Sequence, residues 1–254
     1  MPDAQVFNAW HADVARSSAC DLIFGQALGL PSELVSNSLL TWAGIAEVAA
    51  ALRLAPGQTL VDLACGRGGY GREMARRTGA RLVGLDFSAV AVAIAARGTG
   101  RLSTGQLGRA GFFVGNFTAI GLRAHSADAV MCVDAIQFSD PPLAALGECR
   151  RILARGGRLA VTAWEPIGPA DQRLSERTRR MNLARDLAAV GFEQVEVTGK
   201  PDWYAAERTL WEAALRADAN GDPALVALKE ECAQALATFD SKRRVFATAT
   251  APVT

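Results

Sequence analysis

Residues 60–71 read LVDLACGRGGYG, and Gly66, Gly68 and Gly71 within them have the Gly-x-Gly-x-x-Gly spacing of a nucleotide-binding loop. Glycine lets backbone approach a ligand closely, and the first N–H groups of a following helix are free to face it. Alone, such a pattern is weak evidence, because a tight structural turn also produces it. Asp86 strengthens it, because it stands 20 residues after Gly66 at the end of a second apolar run. A carboxylate there can accept both hydroxyls of a ribose. Asp62 narrows the ligand further. A carboxylate just before the loop repels a pyrophosphate and suits an ammonium or a sulfonium.

The surrounding pattern must place these groups at strand ends. TLVDLA (59–64) reads as a strand and YGREMARRT (70–78) as a helix with an arginine-rich outer face. RLVGLD (81–86) is a second strand, followed by the apolar helix SAVAVAIAAR (88–97), for which Ser88 is the expected N-cap. GFFVGNF (111–117), DAVMCVD (128–134) and RLAVTAW (158–164) are further strands. PPLAALGECRRILARGG is a helix opened by its prolines and closed by its Gly-Gly. Continuous apolar strands alternating with helices describe a parallel sheet covered on both faces. The glycine-rich stretch 98–110 reads as a loop. Beyond residue 173 a helix (173–190), a strand (192–199), two helices (203–218 and 223–239) and a strand (243–251) are expected. The two strands are the more alternating, as an antiparallel edge pair would be. Residues 3–53 are mostly helical with a break at Leu30-Pro31-Ser32, and suit either a lid or core packing.

Composition excludes several classes. With 27 basic and 26 acidic residues the formal charge is +1, which gives no reason to expect nucleic acid or an anionic membrane as partner. The longest stretches without a charged residue are 13 positions, short of the roughly 18 needed to span a membrane. The N-terminal stretch lacks the pattern of a secretory signal. Cytoplasmic localisation is expected. The five cysteines (20, 65, 132, 149 and 232) are odd in number and lack CxxC spacing, so they read as free buried thiols. His11 and His125 have no nearby ligand partner, so no metal site is expected.

LVDLACGRGGYG, VGLDFS, VGNF, ADAVMCVDAIQF and RRILARGGRLAVTAWEP resemble the successive motifs of class I S-adenosylmethionine-dependent methyltransferases, closest to bacterial small-molecule enzymes of secondary metabolism, including antibiotic biosynthesis. The resemblance is ordered across roughly residues 40–165. It implies an α/β, Rossmann-like, seven-stranded and mostly parallel sheet with a C-terminal antiparallel hairpin and an N-terminal helical lid. The implied division is a cap over 1–53 and one compact unit over 54–254. It implies S-adenosylmethionine as cofactor, with Asp62, Ala64, Gly66 and Gly68 around its methionine part. Asp86 would bind the ribose and Phe87 one face of adenine. Asn116, where the family often has aspartate, would accept from the adenine amino group with Phe117 beside it. Val133 and Asp134 would face the transferable methyl.

Methyl transfer from a sulfonium is an in-line displacement, and it needs a base only where the acceptor must lose a proton. The candidates are Asp134, which could equally hold a backbone loop, and His11, which could equally be a partly exposed helix residue. His125 reads as a surface turn. Tyr70 is expected to pack on the cofactor, and Gln137 and Phe138 to line the mouth. Phe7, Trp10, Trp42, Trp164 and Trp203 are either walls of an apolar acceptor pocket or core. A small, fairly apolar acceptor and a monomer or homodimer are expected. A cyclase or isomerase on the same fold, and a non-catalytic binding partner, are the competing readings. A nicotinamide-dependent oxidoreductase is disfavoured by Asp62.

Overall fold

A computed structural model describes residues 3–98, 110–168 and 171–253. In chain order the elements are α1 (Ala4–Val14), α2 (Ser18–Leu28), α3 (Trp42–Leu52), β1 (Thr59–Leu63), α4 (Gly69–Thr78), β2 (Arg81–Asp86), α5 (Ala89–Arg97), β3 (Ala110–Val114) and β4 (Ala127–Val133). There follow α6 (Ala144–Ile152), β5 (Leu153–Pro166), α7 (Glu176–Arg179), α8 (Leu183–Ala189), β6 (Glu193–Gly199), α9 (Pro201–Arg216), α10 (Pro223–Ala237) and β7 (Lys242–Thr250).

The strands form one seven-stranded sheet in the order β3-β2-β1-β4-β5-β7-β6. β1 pairs in parallel with β2 on one side and β4 on the other, so the chain reverses its direction of winding there. The crevice beyond the carboxyl ends of β1 and β4 is where such sheets take ligands. Successive residues of a strand point to opposite faces. Thus Leu60 and Met131 join one core with α1, α2, α3, α9 and α10, while Val61 and Cys132 join the other with α6 and α8. The first core runs unbroken from Val14 and Ile45 to Trp211 and Leu228, so packing is continuous across residue 53.

Several expectations are met closely. β2 spans Arg81–Asp86, and Ser88 caps α5 by accepting from the Ala91 N–H at 3.2 Å. Others need correction. The helix before β5 ends at Ile152, and Gly156-Gly157 lies inside the strand, beside a register shift between β4 and β5. The helix expected over 173–190 is two short ones, α7 and α8, and Asn182 caps the second. The antiparallel edge pair is present as expected, but β6 is its outer strand and β7 lies between β5 and β6, with Val245 to Thr250 buried. Its alternation of small residues with threonine reflects close packing on both faces rather than a wet side. β3 stops at Val114 because Asn116 opens a turn, its Oδ1 accepting from both Thr118 N and Thr118 Oγ1 at 2.8 Å. The loop expected over 98–110 lies almost wholly outside the described residues. Among the described residues no helix is long and apolar enough to cross a membrane.

Candidate functional site

The glycine loop connects β1 to α4, and each glycine solves a different steric problem. Gly66 and Gly68 sit at φ 51° and 74°, where a side chain is strained. A Cβ on Gly71 would come within 2.6 Å of Asp62 Oδ2. That absence lets α4 begin directly over the Asp62 carboxyl, which accepts the Gly71 N–H. Only Gly66 of the three lines the cavity beyond. Gly68 lies behind the loop, where a Cβ would meet Phe112 at 2.8 Å, so its part is the turn and not, as expected, the ligand wall.

That cavity, of about 460 Å³, opens over the carboxyl ends of β1, β2, β4 and β5. At one end it is walled by Asp62, Ala64, Cys65, Gly66, Asp86 and Phe87, with Phe117 and Val133 beside them. The expected cofactor residues therefore converge, Gly68 and Asn116 excepted. Asn116 Oδ1, the expected adenine acceptor, is already committed to the Thr118 turn.

Asp62 is buried, and burial first, then the neighbouring Asp86, pushes its pKa up to about 8. Asp86 accepts from Gly66 N through Oδ2 and from Ser88 N through Oδ1, each at 2.8 Å. It thus ties the glycine loop to the start of α5. Burial raises its pKa, while these N–H groups act in the opposite sense. Asp86 therefore has a structural role in the loop, and it also lines the cavity. Asp86→Ala is expected to weaken S-adenosylmethionine binding roughly 10- to 150-fold, from lost charge-assisted hydrogen bonds of about 1.5–3 kcal/mol. It is also expected to lower the ligand-free melting temperature, because two backbone N–H groups lose their acceptor. Asp86→Asn should lose less on both counts. Calorimetric titration beside unliganded melting curves measures both, and parental affinity in Asp86→Ala would remove the ligand role.

The rest of the lining is largely apolar: Val14, Phe24, Trp164, Trp211 and Leu228 contribute to it, and helix α1 brings Phe7 and Trp10. Phe7 is central, its ring 5.0 Å from that of Phe87 and 6.2 Å from those of Trp10 and Phe138. Of the aromatic residues expected as walls, Phe7, Trp10 and Trp164 line the cavity. Trp42 and Trp203 do not: Trp42 lies beneath Arg77, and Trp203 is buried against Phe246. Phe24, Trp211, Leu228 and Glu231 went unread because their helices carry ordinary amphipathic patterns. Gln137 and Phe138 stand at the wall as expected.

Three attachments hold the helical layer over the cleft. Arg67, on the glycine loop and buried, donates through Nη1 and Nη2 to Asp21 of α2 at 3.3 and 2.5 Å. Asn8 of α1 accepts from Ser88 Oγ at 2.7 Å. Tyr70 receives the Leu40 N–H and donates to the carbonyls of Ser38 and Leu40. Its hydroxyl therefore binds the segment before α3, while the residue also lines the cavity. His125 accords with a turn residue, its Nδ1 3.0 Å from the Leu153 carbonyl.

Of the two candidate bases, His11 is buried rather than partly exposed. Burial, then the charge of Arg67, lowers its pKa to about 4, and Nδ1 has no hydrogen-bond partner. It faces the cavity as a neutral imidazole. Asp134 lines the cavity too, but its carboxylate is filled. Oδ1 accepts from Thr162 Oγ1 and Arg244 Nη1, each at 2.6 Å; Oδ2 accepts from Leu39 N at 2.8 Å and Arg244 Nη2 at 3.1 Å. Four donors leave no acceptor position for a substrate proton. The expectation of a base is corrected to the alternative role, a residue that holds a backbone segment. No group of three or more histidine, cysteine or acidic side chains suited to a metal occurs among the described residues.

The open, mostly parallel sheet, the glycine loop at its switch point and the antiparallel C-terminal strands define the Rossmann-like α/β fold of class I methyltransferases. Residues 61–161 match the family model described as a methyltransferase domain. Botryococcene C-methyltransferase of Botryococcus braunii is 29% identical over 61% of this chain and 41% of its own length. Sterol 24-C-methyltransferase of Eremothecium gossypii is 29% identical over 54% of this chain and 40% of its own. The chain thus spans well under half the length of these curated relatives. Among solved structures, the [4+2]-cyclase SpnF aligns with a TM-score of 0.73 at 22% identity over 92% of each chain. Geranyl diphosphate C-methyltransferase of Streptomyces coelicolor aligns with a TM-score of 0.71 at 18% identity over 95% of this chain and 98% of its own. At such identities the likeness is one of fold.

Proposed function

We propose that the protein transfers a methyl group from S-adenosylmethionine to a small, largely apolar acceptor. The observation that carries this is the pairing of Asp62 and Asp86 at the glycine loop, where of the nearby cations Arg67 is engaged by Asp21, and Arg72 by the carbonyls of Ala95 and Arg67. Such a wall disfavours a pyrophosphate and favours a ligand bearing ammonium, sulfonium and ribose hydroxyls. When bound, the cofactor supplies an electrophilic methyl on a positively charged sulfur. Asp62 accepts from the ammonium, Asp86 accepts from the ribose, and Phe87 and Phe117 lie along the adenine. The apolar end excludes water and fixes the acceptor in line, which supplies much of the acceleration. Where the acceptor gives up a proton, neutral His11 is the group placed to receive it. The relatives that act on hydrocarbon and terpenoid molecules support an apolar acceptor, as does the aromatic wall. A place in cytoplasmic secondary metabolism, with no nucleic-acid or membrane partner and as monomer or homodimer, completes the reading.

S-adenosylmethionine or S-adenosylhomocysteine is expected to raise the melting temperature, and NADH is not. Ligand at 100 times its dissociation constant adds about 2.7 kcal/mol, roughly 5–10 °C for a chain of this size. A shift with NADH alone would overturn the cofactor. Incubation with labelled cofactor and candidate acceptors, followed by mass analysis, separates the chemistries: a methyltransferase product gains one methyl, whereas a cyclase product gains none.

A further inference from the structure

Glu231 lies on the wall of the apolar chamber, one face of α10 presenting Ala224, Leu228 and Glu231 to it. The residue keeps exposed surface while lining the cavity, and desolvation raises its pKa. It makes no hydrogen bond to any described residue. Behind it stands a group of buried charges: Glu207 and Arg244, both fully buried, with Asp134, and Lys242 set over Trp164. Glu207 accepts from the indoles of Trp164 and Trp211, and Asp134 is filled by Arg244. Glu165, beyond them, is paired with Arg243. Among the described residues Asp134, Glu207 and Glu231 thus face two cations, Arg244 and Lys242, and Glu231 shares Lys242 with Glu207 rather than having a counter-charge of its own.

A desolvated carboxyl on an apolar wall, with only a shared counter-charge, is favoured when it takes a proton or meets a further cation. Trp10, Trp211 and Phe24 line the same chamber, and aromatic rings add to the attraction for a cation. We propose that Glu231 is the recognition carboxylate for a positively charged nitrogen on an otherwise apolar acceptor. This deepens the methyltransferase reading and rests on it for the word acceptor, though the cation preference itself does not need that reading. The site differs from the Asp62–Asp86 wall: the charged neighbours of Glu231 are Lys242 and Glu207, and those of Asp62 are Asp86 and Arg72.

Two isosteric probes that differ in charge test it: benzyltrimethylammonium and neopentylbenzene. Binding is followed by quenching of tryptophan fluorescence, with and without S-adenosylhomocysteine, in the parent, Glu231→Gln and Asp62→Asn proteins. The parent is expected to bind the ammonium roughly tenfold or more tightly than the hydrocarbon. That preference should persist in Asp62→Asn and disappear in Glu231→Gln, whose hydrocarbon binding and melting temperature stay near those of the parent. Equal binding of the two probes by the parent overturns the proposal, as does a preference retained in Glu231→Gln or lost in Asp62→Asn. If Glu231→Gln melts early, Glu231→Asp decides: a retained preference supports the carboxylate and a lost one sinks it. Failure of S-adenosylhomocysteine to bind would undo the cofactor reading while leaving the probe comparison intact.

Discussion

Asp62→Asn is expected to stabilise the ligand-free protein at alkaline pH while weakening S-adenosylmethionine binding roughly 10- to 150-fold, from loss of a charge-assisted bond of about 1.5–3 kcal/mol. The two effects have one cause. The folded carboxyl has a pKa of about 8, against an ordinary 3.8, because it is buried beside Asp86. Below about pH 4 it is neutral in both folded and unfolded chains, and its raised pKa favours the folded state. Between about pH 4 and 8 the unfolded chain has released the proton and the folded chain has not, so stability falls as pH rises. At about 1.36 kcal/mol for each pH unit between those two values, the full loss approaches roughly 5 kcal/mol above pH 8. Asparagine keeps an oxygen for the Gly71 N–H and carries no charge, so its advantage should vanish near pH 4 and be largest near pH 8. Melting curves across that range, with calorimetric titration of the cofactor, measure both effects. A variant that melts with the parent at every pH, or that binds as tightly, would remove Asp62 from the role proposed. The penalty fits a ligand site: a carboxyl kept in an unfavourable place is relieved when a cation arrives.

The elements around the cleft were legible because three signals agreed there. Continuous apolar runs gave β1, β2 and β4, the glycine loop marked a strand-to-helix turn, and Ser88 marked the start of α5. Their agreement placed Asp62, Asp86, Phe87 and Val133 at one end of a cavity. What the chain's local pattern could not carry was partnership across distance. Arg244 is 110 residues from Asp134, and nothing near either residue announces that the two are paired. Asp134 therefore read as an available carboxylate, although all its acceptor positions are taken. Asn116 misled for the opposite reason: its partner, Thr118, is only two residues away, and a local turn captured the oxygen assigned to a ligand. The acceptor wall was read in part, since Phe7, Trp10 and Trp164 were among several aromatic residues with no signal to separate wall from core. Trp211 and Glu231 were missed because amphipathic spacing locates a buried face without saying whether a cavity lies on it.

Asp134→Ala is expected to destabilise the ligand-free protein by about 3–5 kcal/mol, the usual result of leaving a buried charge without its partner. For a chain of this size that lowers the melting temperature by roughly 6–20 °C. Arg244 is 0% exposed and Asp134 5%, so neither can turn to solvent when the other is removed. Glu207 lies 3.7 Å from Arg244 Nε and offers only partial relief. The loss also frees Leu39, whose N–H and carbonyl are held by Asp134 and Arg244, and with it the segment that covers the cleft. If Asp134 instead served as a base, Asp134→Asn would abolish turnover and leave the melting temperature untouched. The double variant Asp134→Asn/Arg244→Met separates the two accounts. Removing both charges eliminates the unpaired cation, so the double variant should be more stable than the sum of its single changes predicts. Turnover should recover with it, because the pair positions a segment and touches no reacting atom. Strict additivity of the two losses, with activity absent even where the fold is intact, would restore Asp134 as a direct participant.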